Sequence, residues 1–260
     1  MHALIRGRPT GWGTLALLTL LAASSGAAPP ARVGVALVPL DDRPVCLQLP
    51  VMLGEVADTD VPTPPRAILG RFLKTGDGDA LARWLDAVDL DTLDAVVVST
   101  DMLAYGGLAG SRVPRVFEVD ARRRLDALTR LKQRRADLRV YAFSTILEPA
   151  PPAEADNDAR RQTSARNLAI NLSLVERAAT GAIDYLVFSH ATAVDEEHRT
   201  AIADAIVKAG VANRVVIQPG ADTVAMVGVL IVAPLPRHCT WTRKEKVSDV
   251  GGTSTKPATV

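Results

Sequence analysis

The chain has little of what usually announces a chemistry. Of its 260 residues, two are cysteines, Cys46 and Cys239. Their separation suggests no metal site. An exported chain could join them, but Cys46 follows a predicted strand and Cys239 lies in an atypical tail, so no disulfide is expected. The charges nearly cancel, at a formal net +1, and a nucleic-acid binder normally carries a strong basic excess. The glycines of "AYGGL" fit neither a dinucleotide fingerprint nor a phosphate loop. Ser99, Ser144 and Ser189 stand near strand ends, but none lies in a G-x-S-x-G elbow, which disfavours a serine hydrolase. Aromatics are scarce, at 4%, against 48% hydrophobic residues. That balance suits an α/β domain rich in Ala, Val and Leu.

Long apolar runs are missing too. The longest near the start, "TLALLTLLAA" from Thr14 to Ala23, is too short to span a membrane well. Arg6 and Arg8 precede it, and the small residues of "SSGAAPP" follow it. The pattern reads as an export signal over residues 1–27, cleaved after Ala27. The expected product is an exported bacterial protein, periplasmic or extracellular, with no stable membrane span after cleavage.

What is present is a repeated alternation of strand and helix. "RVGVALVPL", "DAVVVST", "RVYAFST", "DYLVFSH" and "RVVIQPG" are continuous apolar runs, as strands buried on both faces should be. A weaker strand is expected near "TDVPTPP". Helical spacing fits "DALARWLDAV", the stretch around Leu125 and Leu128, "ARNLAINLSLVERAA" and "EEHRTAIADAIVKAG". "ADTVAMVGVLIVAP" is a helix or a buried apolar run. The arginines at 122, 123 and 124 read as a solvated face balanced by Glu118, Asp120, Asp126 and Asp137. The β-helix-β order predicts an α/β fold with a mostly parallel sheet and flanking helices. An open doubly wound sheet comes first, a partial barrel second. The α/β domain is placed at 28–233, and residues 234–260 read as a disordered tail.

Ligands of parallel sheets bind beyond the carboxyl ends of the strands. After the first strand come Asp41, Asp42 and Arg43. After the second come Asp101, Tyr105, Gly106, Gly107, Ser111 and Arg112. Glu148 follows the third, His190 ends the fourth, and Asp222 follows the fifth. Carboxylates beside arginines suit a small polar ligand, in the first instance a carbohydrate. Asp42 and Asp101 are the candidate acid and base. Arg43 and Arg112 would orient substrate, and Arg43 could instead pair with Asp101. The same acids could hold a hard cation, so a metal-dependent phosphate enzyme using Asp41, Asp42 and Asp222 is a third option. Metal and cofactor are otherwise unknown.

"VPLDDRPVC", "PTPPRAILG", the stretch ending "STDMLAYGGLAGSR", "ARNLAIN" and "IQPGADTVAM" resemble the bacterial family called domain of unknown function 4127. The resemblance runs from about Val33 to Met226. It implies no established activity. It implies longer α/β relatives and adds Asn167 and Asn171 to the strand-end set as ligand-binding residues. Three positions depart from the family's pattern: Cys46 in place of asparagine, "FSHATAVDEEH" in place of an acidic pair, and Thr223 after Asp222. The two functional expectations are therefore a carbohydrate-directed hydrolase and a non-catalytic protein that binds a glycan or another small polar ligand.

Overall fold

The computed structural model describes residues 33–71, 73–148, 157–191, 193–220 and 224–232. The expected signal segment, Cys239, Asp222 and the expected tail lie outside them.

Among the described residues six strands form one sheet: β1 (Val33–Val38), β2 (Thr59–Asp60), β3 (Ala95–Ser99), β4 (Arg139–Thr145), β5 (Tyr185–His190) and β6 (Val215–Pro219). Every pairing is parallel, in the order β2-β1-β3-β4-β5-β6. The sheet is open, with β2 and β6 at its edges, and is not a barrel. The strands lie where the apolar runs predicted them, and β1 and β3 are buried along nearly their whole length.

Among the described residues eight α-helices accompany the strands: α1 (Gln48–Val56), α2 (Gly78–Ala87), α3 (Thr100–Tyr105), α4 (Leu108–Ser111), α5 (Glu118–Arg134), α6 (Asp158–Ala179), α7 (Glu196–Ala209) and α8 (Val224–Val232). Successive side chains of a strand point to opposite faces, and this sorts the core into two layers. Ala36, Val38, Val96 and Val98 face a large apolar cluster with Leu81 and Leu85 of α2, Leu125 and Leu128 of α5, Ile170 of α6 and Ile202 of α7. Val35, Leu37 and Val97 face a smaller cluster with Val224 and Val229 of α8. The sheet is therefore doubly wound, as expected. Gly228 of α8 permits close approach to the sheet: a Cβ there would lie 2.9 Å from Val97 Cγ1.

Among the described residues, no helix is long and apolar enough to cross a membrane.

The strand order reverses between β1 and β3. From β1 the chain moves outward to β2, then returns to β3 on the other side. At such a switch point the two loops diverge and leave a crevice beyond the carboxyl ends of the strands.

Candidate functional site

The β1 end answers why two acids and an arginine should close a buried strand. Asp41 Oδ1 accepts the Arg43 amide at 3.0 Å, which folds a tight turn. Its Oδ2 accepts Arg43 Nε at 2.8 Å and lies 2.8 Å from Nη2. Asp41 thus shapes the turn and aims the guanidinium. Asp42 points elsewhere. Its amide donates to the Gly70 carbonyl at 3.3 Å, and its Oδ2 lies 3.8 Å from Arg71 Nε. The Arg43 Nη2 also lies 3.7 Å from the sulfur of Cys46, a buried thiol.

At the β3 end the chain enters α3 without a loop. Ser99 Oγ caps it by accepting the Met102 amide at 3.2 Å. Asp101 in the first turn is buried, and its Oδ2 accepts the Thr145 amide at 2.8 Å. One carboxylate therefore ties α3 to the last residue of β4. Burial pushes the Asp101 carboxyl up to about 6; the Thr145 hydrogen bonds and the charges of Arg112 and Arg166 pull the other way. Burial likewise raises the Tyr105 hydroxyl above its ordinary range.

The "AYGGL" glycines do more than turn the chain. Gly106 ends α3 in the left-handed region, at φ 80°, and Gly107 follows at φ 110°. The Gly106 carbonyl accepts the Gly76 amide at 2.8 Å, and a Cβ on Gly106 would lie 2.3 Å from the Gly76 carbonyl oxygen. A Cβ on Gly70 would lie 2.5 Å from the Gly106 oxygen. Three glycines bring the 70–76 loop onto α3, backbone against backbone. That loop carries Lys74.

The loop after α4 is held from below. Arg166 of α6 is buried and donates to the carbonyls of Ser111 at 2.7 Å, Val113 at 2.9 Å and Val116 at 3.0 Å. Its guanidinium lies 4.3 Å from the Tyr105 ring centroid. Burial lowers its pKa, opposed by Tyr105 and Asp101. Asn167 Nδ2 donates to the Ser111 carbonyl at 2.8 Å, and Ser111 Oγ donates to Leu108 at 2.8 Å. Asn171 Oδ1 accepts Ser144 Oγ at 2.7 Å. Ser111, Asn167 and Asn171 are all buried. Their side chains make internal hydrogen bonds, and Asn167 and Arg166 position the loop that bears Arg112 and Arg115.

Together these segments wall a crevice of about 500 Å³ at the switch point, lined by Asp41, Arg43, Lys74, Gly106, Gly107, Arg112 and Arg115, with Leu73, Leu108 and Val113 as apolar surface. A second cavity of about 270 Å³ adjoins it, lined by Arg43, Leu108, Arg112, Thr145, Ile146, Leu147, Glu148 and Ala191. Lys74, Arg112 and Arg115 make no ion pair among the described residues.

Of the residues singled out in the sequence, Asp41, Arg43, Gly106, Gly107 and Arg112 share the crevice. Asp101 and Tyr105 are buried on α3, Asp101 tied to Thr145 of the second cavity. Asp42 lines neither cavity. His190 lines neither, and its Nδ1 lies 2.6 Å from the Ala191 carbonyl. Asp222 lies outside the described residues. Arg43 pairs with Asp41, and the cations that bear on Asp101 are Arg112 and Arg166. No motif in the sequence marks Lys74, Arg115 or Arg166. The glycine spacing of "LGRFLKTGDG" was the one available sign of a loop built for close approach. Among the described residues, no group of three or more His, Cys, Asp or Glu is placed to hold a metal ion.

The family model described as "Protein of unknown function (DUF4127)" matches residues 35–164, half of the chain. The matched span contains every residue that lines the two cavities except Ala191. No curated protein matches the chain.

Proposed function

The chain belongs to the DUF4127 family, and from that premise we propose that its switch-point crevice binds a small anionic polar ligand, an acidic sugar first among them. The family's description carries no activity, so the reading rests on geometry. The observation that carries it is a charge imbalance. Four cations line the larger cavity against one carboxylate, and that carboxylate, Asp41, is bound to Arg43. Lys74, Arg112 and Arg115 remain for a ligand. Guanidinium groups suit a carboxylate or phosphate through paired donors. The signal-like N-terminal segment supports a ligand met outside the cytoplasm.

Calorimetric titration with glucuronic acid and with glucose tests this. The acid should bind at least about tenfold more tightly, and Arg112→Ala should weaken it by about 10- to 100-fold, the worth of a charged hydrogen bond. Equal affinity for acid and neutral sugar, or an unaffected Arg112→Ala, would refute the reading.

A second reading, a carbohydrate-directed hydrolase, draws on Asp101. With its carboxyl pushed up to about 6, this group exchanges a proton near neutral pH, as an acid–base catalyst must. It is buried rather than cavity-lining, and Asp41 and Glu148 line different cavities, so the paired-carboxylate geometry of a glycosidase has less support than binding has. In the same samples, turnover of a glycoside panel that falls by about two to four powers of ten in Asp101→Asn would select the hydrolase. Saturable binding without turnover would select the binding protein.

A further inference from the structure

The two cavities are not alike. They share Arg43, Leu108 and Arg112, so they meet along one wall. Beyond that wall the larger cavity adds Lys74 and Arg115, and the smaller adds the carboxylate of Glu148. The smaller cavity therefore sets one carboxylate beside the two shared guanidinium groups, and the larger adds two further cations.

The smaller cavity is also firmly built. Ile146 and Leu147 continue past β4 and are buried. The Ile146 amide donates to Ser189 at 2.8 Å, and the Leu147 carbonyl accepts the Asp195 amide at 3.2 Å. The Glu148 carbonyl accepts Arg160 Nη2 at 2.7 Å. Three successive backbone groups are thereby fixed to β5, to the start of α7 and to α6. Asp101 anchors the residue before them through the Thr145 amide. The Glu148 side chain is exposed on this fixed backbone.

We infer that the crevice takes a two-unit ligand: an anionic unit beside Lys74 and Arg115, and a second unit that presents hydroxyl or ammonium donors to Glu148. Arg112 spans the junction. Ile146, Leu147 and Leu108 offer the second unit an apolar face, against which the carbon side of a sugar ring can lie. A carboxylate accepts hydrogen bonds and donates none, so Glu148 selects for a unit that presents donors. This rests on the acidic-ligand reading above and goes further, because it sets the length and polarity of the ligand.

The test is a ratio of affinities in the full chain. Glucuronic acid is compared with two disaccharides, glucuronic acid joined to glucose and glucuronic acid joined to glucosamine. Wild type should bind a disaccharide at least about tenfold more tightly than the monosaccharide, the worth of one added hydrogen bond to a charged group. A gain confined to the glucosamine compound identifies ammonium as the donor. Glu148→Ala, a surface change, should bring the ratio close to one. Lys74→Ala should weaken all three sugars together. If glucuronic acid binds but neither disaccharide gains, the two-unit inference fails and the acidic-ligand reading stands. A gain that survives in Glu148→Ala also overturns the inference. If no sugar binds, both fall together.

Discussion

Asp101 is a carboxylic acid that gives up its proton about two pH units late, and this has a measurable consequence for stability. Its ordinary pKa is 3.8, and burial raises the folded value to about 6. Between those two pH values the native state keeps a proton that the unfolded chain has released. Stability therefore falls as pH rises from about 4 to about 6 and stays lower above that window. The full difference is about 3 kcal/mol. Asp101→Asn removes the charge and keeps an oxygen that can accept the Thr145 amide. The variant should be more stable than wild type at pH 8 by up to about 3 kcal/mol, with the gain shrinking toward zero at about pH 4. Urea unfolding at both pH values measures it, and a variant no more stable than wild type at pH 8 would show that the carboxylate is better solvated than its burial implies. The place of Asp101 at the carboxyl end of the sheet was legible, because it directly follows a strand run; its burial and its bond to Thr145 were not. The roles of Ser111, Asn167 and Arg166 were not. The partners in the Ser111–Asn167 bond are 56 positions apart, and no local pattern marks such a bond.

Elements were legible in proportion to their length and to how fully they are buried. The five longer strands are continuous apolar runs, and the long helices carry a 3.6-residue stripe. α3 and α4, with six and four residues, are too short to show a period. α1 contains Pro50, and its N-cap, Leu47, gives no side-chain cap. α6 begins at Asp158, about two turns before the apolar stripe, capped by Asn157 at 2.9 Å. The arginines of α5 correct the expectation of a solvated face. Arg122 and Arg123 fit it in part, through pairs with Glu118 and Asp120. Arg124 does not: it is 14% exposed, donates to the Ala104 carbonyl at 2.7 Å and pairs with Asp79 at 2.9 Å. Gly78 makes room for it, since a Cβ there would lie 2.9 Å from Arg124 Cδ. One side chain thus joins α2, α3 and α5. Arg124→Ala leaves the Ala104 carbonyl without its donor and Asp79 with Arg123 alone, and should cost about 2–3 kcal/mol. Arg123→Ala, at 58% exposure, should cost much less, because water and salt screen its pairs. Chemical denaturation of the two variants separates them, and equal losses would contradict the joining role of Arg124.

At the scale of the whole molecule, the fold class followed from the order of the elements, but the position of the crevice did not. That position depends on the chain passing from β1 outward to β2 before returning to β3, and β2 has only two residues. So short a strand leaves almost no periodic signal. Charge behaves in the same way. The whole chain is nearly neutral, at +1, which argues against a general attraction for polyanions. The crevice nonetheless collects Arg43, Lys74, Arg112 and Arg115 on its rim. A field of this kind acts over short distances only. Salt shortens its reach from about 30 Å at 0.01 M to about 10 Å at 0.1 M and about 3 Å at 1 M. Rim charges exposed to solvent feel that screening fully, whereas the buried contacts beneath them feel it little. Raising NaCl from about 0.01 M to about 0.5 M should therefore weaken glucuronic acid binding severalfold and leave the melting temperature nearly unchanged. Arg115→Ala should flatten the salt dependence, because it removes one of the screened charges. Titrations across the salt series, run beside thermal melts, measure both effects. Binding that does not respond to salt would mean that the ligand is held by the apolar and backbone surface of the crevice, and the rim cations would then lose their place in recognition.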